Sequence, residues 1–188
     1  MPFLKSFLTA TLLASLGLFA QKVNRAHDRD FLARLSYESS PVVQREGVRD
    51  ICVAVSRDGE YRVVRLPQDG PTERFEGRMS SEQIQQLKKL LQSGEFQNLS
   101  GSHGGLIRQD AETFGAEIAR RDDGTQRLHW LNPDGKNPFP AAVSKVVDWL
   151  KHFDPTDGKS FVYAEYPDVC PSGGLRLLQP TVAENQHP

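Results

Sequence analysis

Apolar and polar residues alternate with a period of two in two long stretches of the chain. Ile51, Val53 and Val55 alternate with Cys52, Ala54 and Ser56. After Arg57-Asp58-Gly59 the pattern resumes at Tyr61, Val63 and Val64. Such alternation marks a strand with one buried face, and Asp-Gly between two runs predicts a hairpin, because glycine accepts positive φ without steric cost. The same grammar returns at Phe114, Ala116 and Ile118, then Arg121-Asp122-Asp123-Gly124, then Leu128, Trp130 and Leu131. A fainter alternation at Phe31, Ala33, Leu35 and Tyr37 predicts a further strand, and Pro71 to Phe75 reads as an edge strand.

Two segments change period to that of a helix. Ser80 is placed to cap the first, with Gln83 three residues on completing a capping box. Ile84, Leu87, Leu90 and Leu91 then share one face, Gly94 is expected to end the helix at C′, and Phe96 and Leu99 are expected to fold the exit back onto the core. The second helix starts near Pro140, a residue suited to a first turn whose N–H has no partner anyway. Val143, Val146, Val147 and Leu150 form its apolar stripe, Phe153 follows, and Lys145, Asp148 and Lys151 are assigned to the wet side. Asp154-Pro155 stops it.

The order hairpin, helix, hairpin, helix predicts the α+β class: an antiparallel sheet from two ββα units, with both helices packed on one face. That domain spans 31–153. Residues 154–188 form a Pro- and Gly-rich extended tail in which Phe161, Val162, Tyr163 and Tyr166 are able to add one strand, with disorder expected beyond Gln179. Two loops of turn-forming composition, Ser100–Gly105 and Asn132–Phe139, connect the elements.

The N-terminus changes the picture of where the domain works. Lys5 is followed by an uncharged, strongly apolar run from Ser6 to Gln21. It is shorter than the ~20 residues a membrane-crossing helix needs, and it fits a secretory h-region. Residues 1–20 are therefore expected to be a signal peptide, cut after Ala20 or nearer Ala26, with an uncleaved signal anchor as the rival reading. Residues 21–30 are a polar, flexible lead-in, and the mature protein is expected to be secreted or periplasmic. In an oxidising compartment the two cysteines, Cys52 and Cys170, are expected to bridge, the other reading being two free thiols. The bridge would close a loop of 118 residues.

Charge and motifs exclude more than they assign. The formal net charge of −1, with basic residues in isolated pairs such as Lys88-Lys89 and Arg120-Arg121, argues against nucleic acid as a partner. The five histidines (His27, His103, His129, His152, His187) have no His, Cys or carboxylate at ligand spacing, so no metal is expected. There is no nucleophile elbow, no phosphate-binding glycine loop and no other cofactor motif, and no catalytic residue is assigned. His103 is the one histidine in a glycine loop. Ser102, His103 and Gly104 are the candidate binding loop, against a bland reading as an exposed linker.

The stretches SSEQIQQLKKLLQSGEFQNL, ETFGAEIARRDDGTQRLHW and NPFPAAVSKVVDWLKHF, with the Asp-Gly hairpin before them, resemble two groups. One is a set of uncharacterised secreted bacterial domains, the other the emfourin-like inhibitors of thermolysin-type metallopeptidases. The likeness covers about residues 48–153 and lies in element order and apolar spacing; a glycine-rich start after the first strand, part of the emfourin pattern, is missing. It implies peptidase inhibition without carrying any inhibitory residue across. The expectation is an exported, non-enzymatic binding module, in its specific form a peptidase inhibitor presenting Ser100–Gly105 to a protein cleft. The alternative is an envelope-associated structural or protein-interaction protein that docks through its tail, and a hydrolase with an unfamiliar site is the third class.

Overall fold

The computed structural model describes residues 31–40, 47–104, 111–121, 124–132, 138–155, 157–160 and 170. The expected signal peptide (1–20) and lead-in (21–30), Gly105, most of the Asn132–Phe139 loop and the tail strand expected at 161–166 lie outside the described residues.

The strands are β1 (Phe31–Ser39), β2 (Val48–Ser56), β3 (Glu60–Pro67), β4 (Glu73–Arg78), β5 (Gly101–His103), β6 (Glu112–Ala119), β7 (Thr125–Asn132) and β8 (Lys159–Ser160). The helices are α1 (Ser81–Leu91), α2 (Gly94–Gln97) and α3 (Ala141–Lys151). The strands form one sheet in the order β5-β7-β6-β1-β2-β3-β4-β8. The chain is α+β as expected, and both hairpins are present: β2 pairs β3 with Val53 opposite Val63, and β6 pairs β7 with Ala116 opposite Leu128.

The sheet departs from two ββα units in its details. Among the described residues four strands precede α1, and β5 joins β7 in parallel, so the sheet is mixed while mostly antiparallel. The faint alternation at 31–39 turns out to be a middle strand, β1, which pairs β6 with Tyr37 opposite Phe114 and has β2 on its other side. The segment read as an edge strand from Pro71 is β4, flanked by β3 and by the two residues of β8.

Local chemistry accounts for the turns and caps. At the β2–β3 turn Gly59 has φ +92°, and its N–H donates to Ser56 O at 3.1 Å. The Asp58 carboxylate accepts from Ser56 Oγ and from the Glu60 N–H, and it pairs with Arg78 Nη2 at 3.1 Å. Ser80 caps α1: its Oγ accepts from Gln83 N–H at 3.2 Å, and Gln83 Oε1 accepts from Ser80 N–H at 2.9 Å. Gly94 does not close α1, as was expected of it. It opens α2, with Ser93 as N-cap accepting from the Phe96 N–H, because a capped second turn satisfies those donors where a C′ glycine would end them.

The core lies between the helices and one face of the sheet. Leu35, Tyr37, Ile51, Val53, Val63, Phe114 and Ile118 from the strands meet Leu87, Leu91, Val143, Val146, Val147 and Leu150 from the helices. Aromatic edges lock the layers together: Tyr61 meets Phe153 at 5.1 Å between centroids, and Phe96 meets Phe114 at 6.4 Å. Lys151, assigned to the wet side of α3, instead lies against the sheet with its Nζ 4.3 Å above the Tyr37 ring. The long aliphatic stem and a cation-accepting ring make that position favourable.

The opposite face is also closed at its middle. Cys52 and Val64 are register partners that alternate away from the core residues, and both are 0% exposed. Cys52 is bonded to Cys170, with Cα atoms 5.1 Å apart. The expected bridge is formed, and it fixes one point of the tail on the face away from the helices.

Candidate functional site

The candidate binding residues Ser102, His103 and Gly104 are not a loose glycine loop. Residues 101–103 are a strand, β5, at one margin of the sheet, with Gly101, Ser102 and His103 opposite Leu128, His129 and Trp130 of β7. No periodic pattern announces it, since three residues are too few to alternate. Among the described residues, nothing pairs with the outer side of β5.

The segment leading into β5 is held by side chains from the β6–β7 hairpin. Gln126 Nε2 donates to Phe96 O at 3.0 Å and also to Leu99 O. Arg120 donates through Nη1 to Leu91 O at 3.0 Å and through Nη2 to Gln126 Oε1. Partial burial holds the Arg120 guanidinium below its usual pKa. The Arg120 bond caps the Leu91 carbonyl at the end of α1, and the Gln126 bonds hold the exit from α2.

Within β5 the imidazole of His103 is pinned from two sides. It stacks on the Trp130 indole, centroids 4.3 Å apart and planes 25° from parallel. Its Nε2 is 2.8 Å from Ser100 O, and because a carbonyl only accepts, that nitrogen carries the proton. Gly104 then turns the chain with φ +114°, where a Cβ would stand 2.5 Å from Leu131 O. The result is an extended segment with exposed Gly101 and Ser102, a half-buried and immobilised His103, and a turn that only glycine fits.

The other sequence candidates are dispersed. His129 is half-buried in β7, and His152 Nδ1–H donates to Asp148 O at 2.8 Å on the last turn of α3, a local role. Trp149 packs in the core against Phe153 at 5.1 Å, while Trp130 is half-buried with its Nε1 enclosed. Among the described residues no three His, Cys, Asp or Glu side chains come together in a way that could hold a metal ion. Among those same residues, no helix is long and apolar enough to cross a membrane.

One polar cluster was missed in the sequence. Tyr37 O–H donates to Glu112 Oε1 at 2.6 Å, Asn132 Nδ2 donates to Oε2 at 3.1 Å, and Lys151 Nζ stands 3.9 Å from Oε1. Burial, and then the bond to Glu112, push the Tyr37 phenol far above its ordinary range. Glu112 thus has both oxygens occupied by donors and acts as the hub of a closed network. Its signal was available: Glu112 shares parity with Phe114, Ala116 and Ile118, so the strand aims a carboxylate inward.

No protein-family model matches the chain, and no curated protein and no solved structure is significantly similar to it.

Proposed function

We propose that this chain is an exported, non-enzymatic binding module that presents the β5 edge, Ser100 to Gly104, to the cleft of an extracytoplasmic partner, with a peptidase as the partner class. One observation carries the reading: His103 is clamped between the Trp130 ring and the Ser100 carbonyl beside an extended backbone whose outer side has no strand partner among the described residues. Extended segments are taken up by main-chain hydrogen bonds along an open strand, which is the mode by which peptidase clefts hold chains. A segment already fixed in that shape has little ordering cost left on binding. The small side chains of Gly101 and Ser102 leave the backbone accessible. Support for export comes from the apolar run after Lys5 and from the Cys52–Cys170 bond, which suits an oxidising compartment.

The test is a titration of the purified protein against a thermolysin-type metallopeptidase. Inhibition at micromolar protein, weakened at least tenfold by His103→Ala with the fold intact, is the expected result. No inhibition by the wild-type chain at micromolar excess removes the peptidase as partner.

A further inference from the structure

A second place in the fold holds more negative charge than it neutralises. On β1 the residues Ala33, Leu35 and Tyr37 enter the core, so Glu38 belongs to the opposite face. On β2 the core residues are Ile51, Val53 and Val55, so Asp50 and Cys52 share that opposite face. A register irregularity between Val48 and Asp50 marks the strand there, and Ser39 Oγ donates to Arg49 O at 3.2 Å, fixing the end of β1 against β2.

Asp50 is 0% exposed. Arg49 Nε donates to Asp50 Oδ2 at 3.1 Å and the Ser39 N–H also bonds the carboxylate, while Asp50 Oδ1 is buried with no hydrogen-bond partner among the described residues. Leaving a charged acceptor enclosed and unbonded is costly, because its hydration is lost without replacement. A second buried acceptor without a donor, Gln68 Oε1, lies at the same end of the β2–β3 pair, where Gln68 N–H donates to Gly47 O at 2.9 Å. Among the described residues, the charges that act here are Arg49 from β2 and Glu38 from β1. β3 sets the uncharged Leu66 opposite Asp50. On β6, Glu112 is committed to Tyr37, Asn132 and Lys151. Among the described residues, one guanidinium therefore faces two carboxylates.

We propose that Glu38 and Asp50 form a proton-binding pair that tightens the end of the sheet where β1 meets β2, so that the fold gains stability in acid. A proton on Asp50 removes the uncompensated buried charge and turns an orphaned acceptor into a donor. Titration agrees in direction. Burial holds the Asp50 carboxyl above its usual value despite Arg49 and the Ser39 N–H, and burial together with the Asp50 charge outweighs Arg49 to hold Glu38 up as well. Groups whose pKa is raised by folding stabilise fully below their unfolded values, ordinarily 3.8 for Asp50 and 4.5 for Glu38, and the benefit is lost as pH rises through the raised folded values.

The experiment compares thermal unfolding of the wild type and Asp50→Asn, whose amide mimics the protonated acid, at about pH 3.5 and about pH 8. Asp50→Asn is expected to melt about 2–4 °C above wild type at the higher pH, with the gap closing at the lower. Equal destabilisation at both pH values would overturn the proposal, because Asp50 would then be a fixed acceptor for Arg49. Millimolar calcium that raises wild-type melting at the higher pH, with no effect on Asp50→Asn, would overturn it in favour of a metal ligand. Should Asp50→Asn not fold, a carboxyl carbon-13 NMR titration of the wild type decides: a midpoint for Asp50 above that of Asp58 supports the pair, and the reverse order sinks it.

Discussion

Lys151 Nζ lies 4.3 Å above the ring of Tyr37, whose hydroxyl donates at 2.6 Å to the same Glu112 carboxylate that the lysine pairs with. Ring, cation and carboxylate thus close a triangle joining α3 to β1 and β6. Asn132 from β7 supplies the fourth contact, so one inward carboxylate ties together three strands and a helix.

This triangle gives the first prediction. Tyr37→Phe keeps the ring and its cation contact and removes the hydroxyl that bonds Glu112. It is expected to cost about 1.5–3 kcal/mol, the range for a hydrogen bond to a charged group. Urea denaturation should show a lower midpoint with an unchanged slope. Glu112→Ala should cost more, because it leaves both the Tyr37 hydroxyl and the buried Asn132 amide without their acceptor.

Local features of the chain were readable, and contacts between distant segments were not. The capping box of Ser80 and Gln83 and the turn at Asp58-Gly59 involve residues within a few positions of one another, so composition and spacing suffice. β1 was faint because its polar side, with Arg34, Ser36 and Glu38, faces a surface that is itself partly closed, so strict alternation carries less information. Arg34 there pairs with Glu117 at 3.4 Å, a partner 83 residues away. Lys151 reads as a solvent residue on any helical projection, and only a ring brought in from β1 makes the inner position favourable. β5 exists because Gln126, Arg120 and Trp130 hold it, none of which its own residues announce.

The capping box yields a smaller and more local effect. Ser80→Ala removes the acceptor for the Gln83 N–H and should cost about 1 kcal/mol. Ser80→Asp should recover most of it, since a carboxylate at an N-cap accepts the same bond and faces the positive end of the helix. Thermal unfolding of the two variants side by side checks the pair, and an Asp variant no better than the Ala one would show that the cap contributes little.

Gly104 tests whether the margin strand is held as described. A methyl group there meets the Leu131 carbonyl at 2.5 Å on a backbone with φ +114°, so neither the space nor the conformation admits alanine. Gly104→Ala should cost more than about 1 kcal/mol and should loosen β5 selectively. Amide exchange at residues 101–103 should quicken while that of β2 and β3 stays slow. Uniform loss of protection across the sheet would mean that β5 is not a separable edge.

The disulfide closes a loop of 118 residues and joins the tail to a fully buried strand position. In the chain-entropy view a loop of this size restricts the unfolded chain enough to contribute about 4–5 kcal/mol, and loss of a native bridge typically costs about 2–5. Cys170→Ala and Cys52→Ala should therefore both destabilise, but not equally. Cys170→Ala leaves Cys52 as a buried thiol, which packs as a small apolar group, whereas Cys52→Ala also removes a sulfur from the 0%-exposed site beside Val64 and leaves a cavity. Guanidinium unfolding of both variants and of the doubly substituted chain separates the two contributions. The double variant should match Cys52→Ala closely, because the bridge is lost once whichever partner is removed. If instead Cys170→Ala alone proves as costly as the double variant, the cavity contributes nothing and the whole effect belongs to the cross-link.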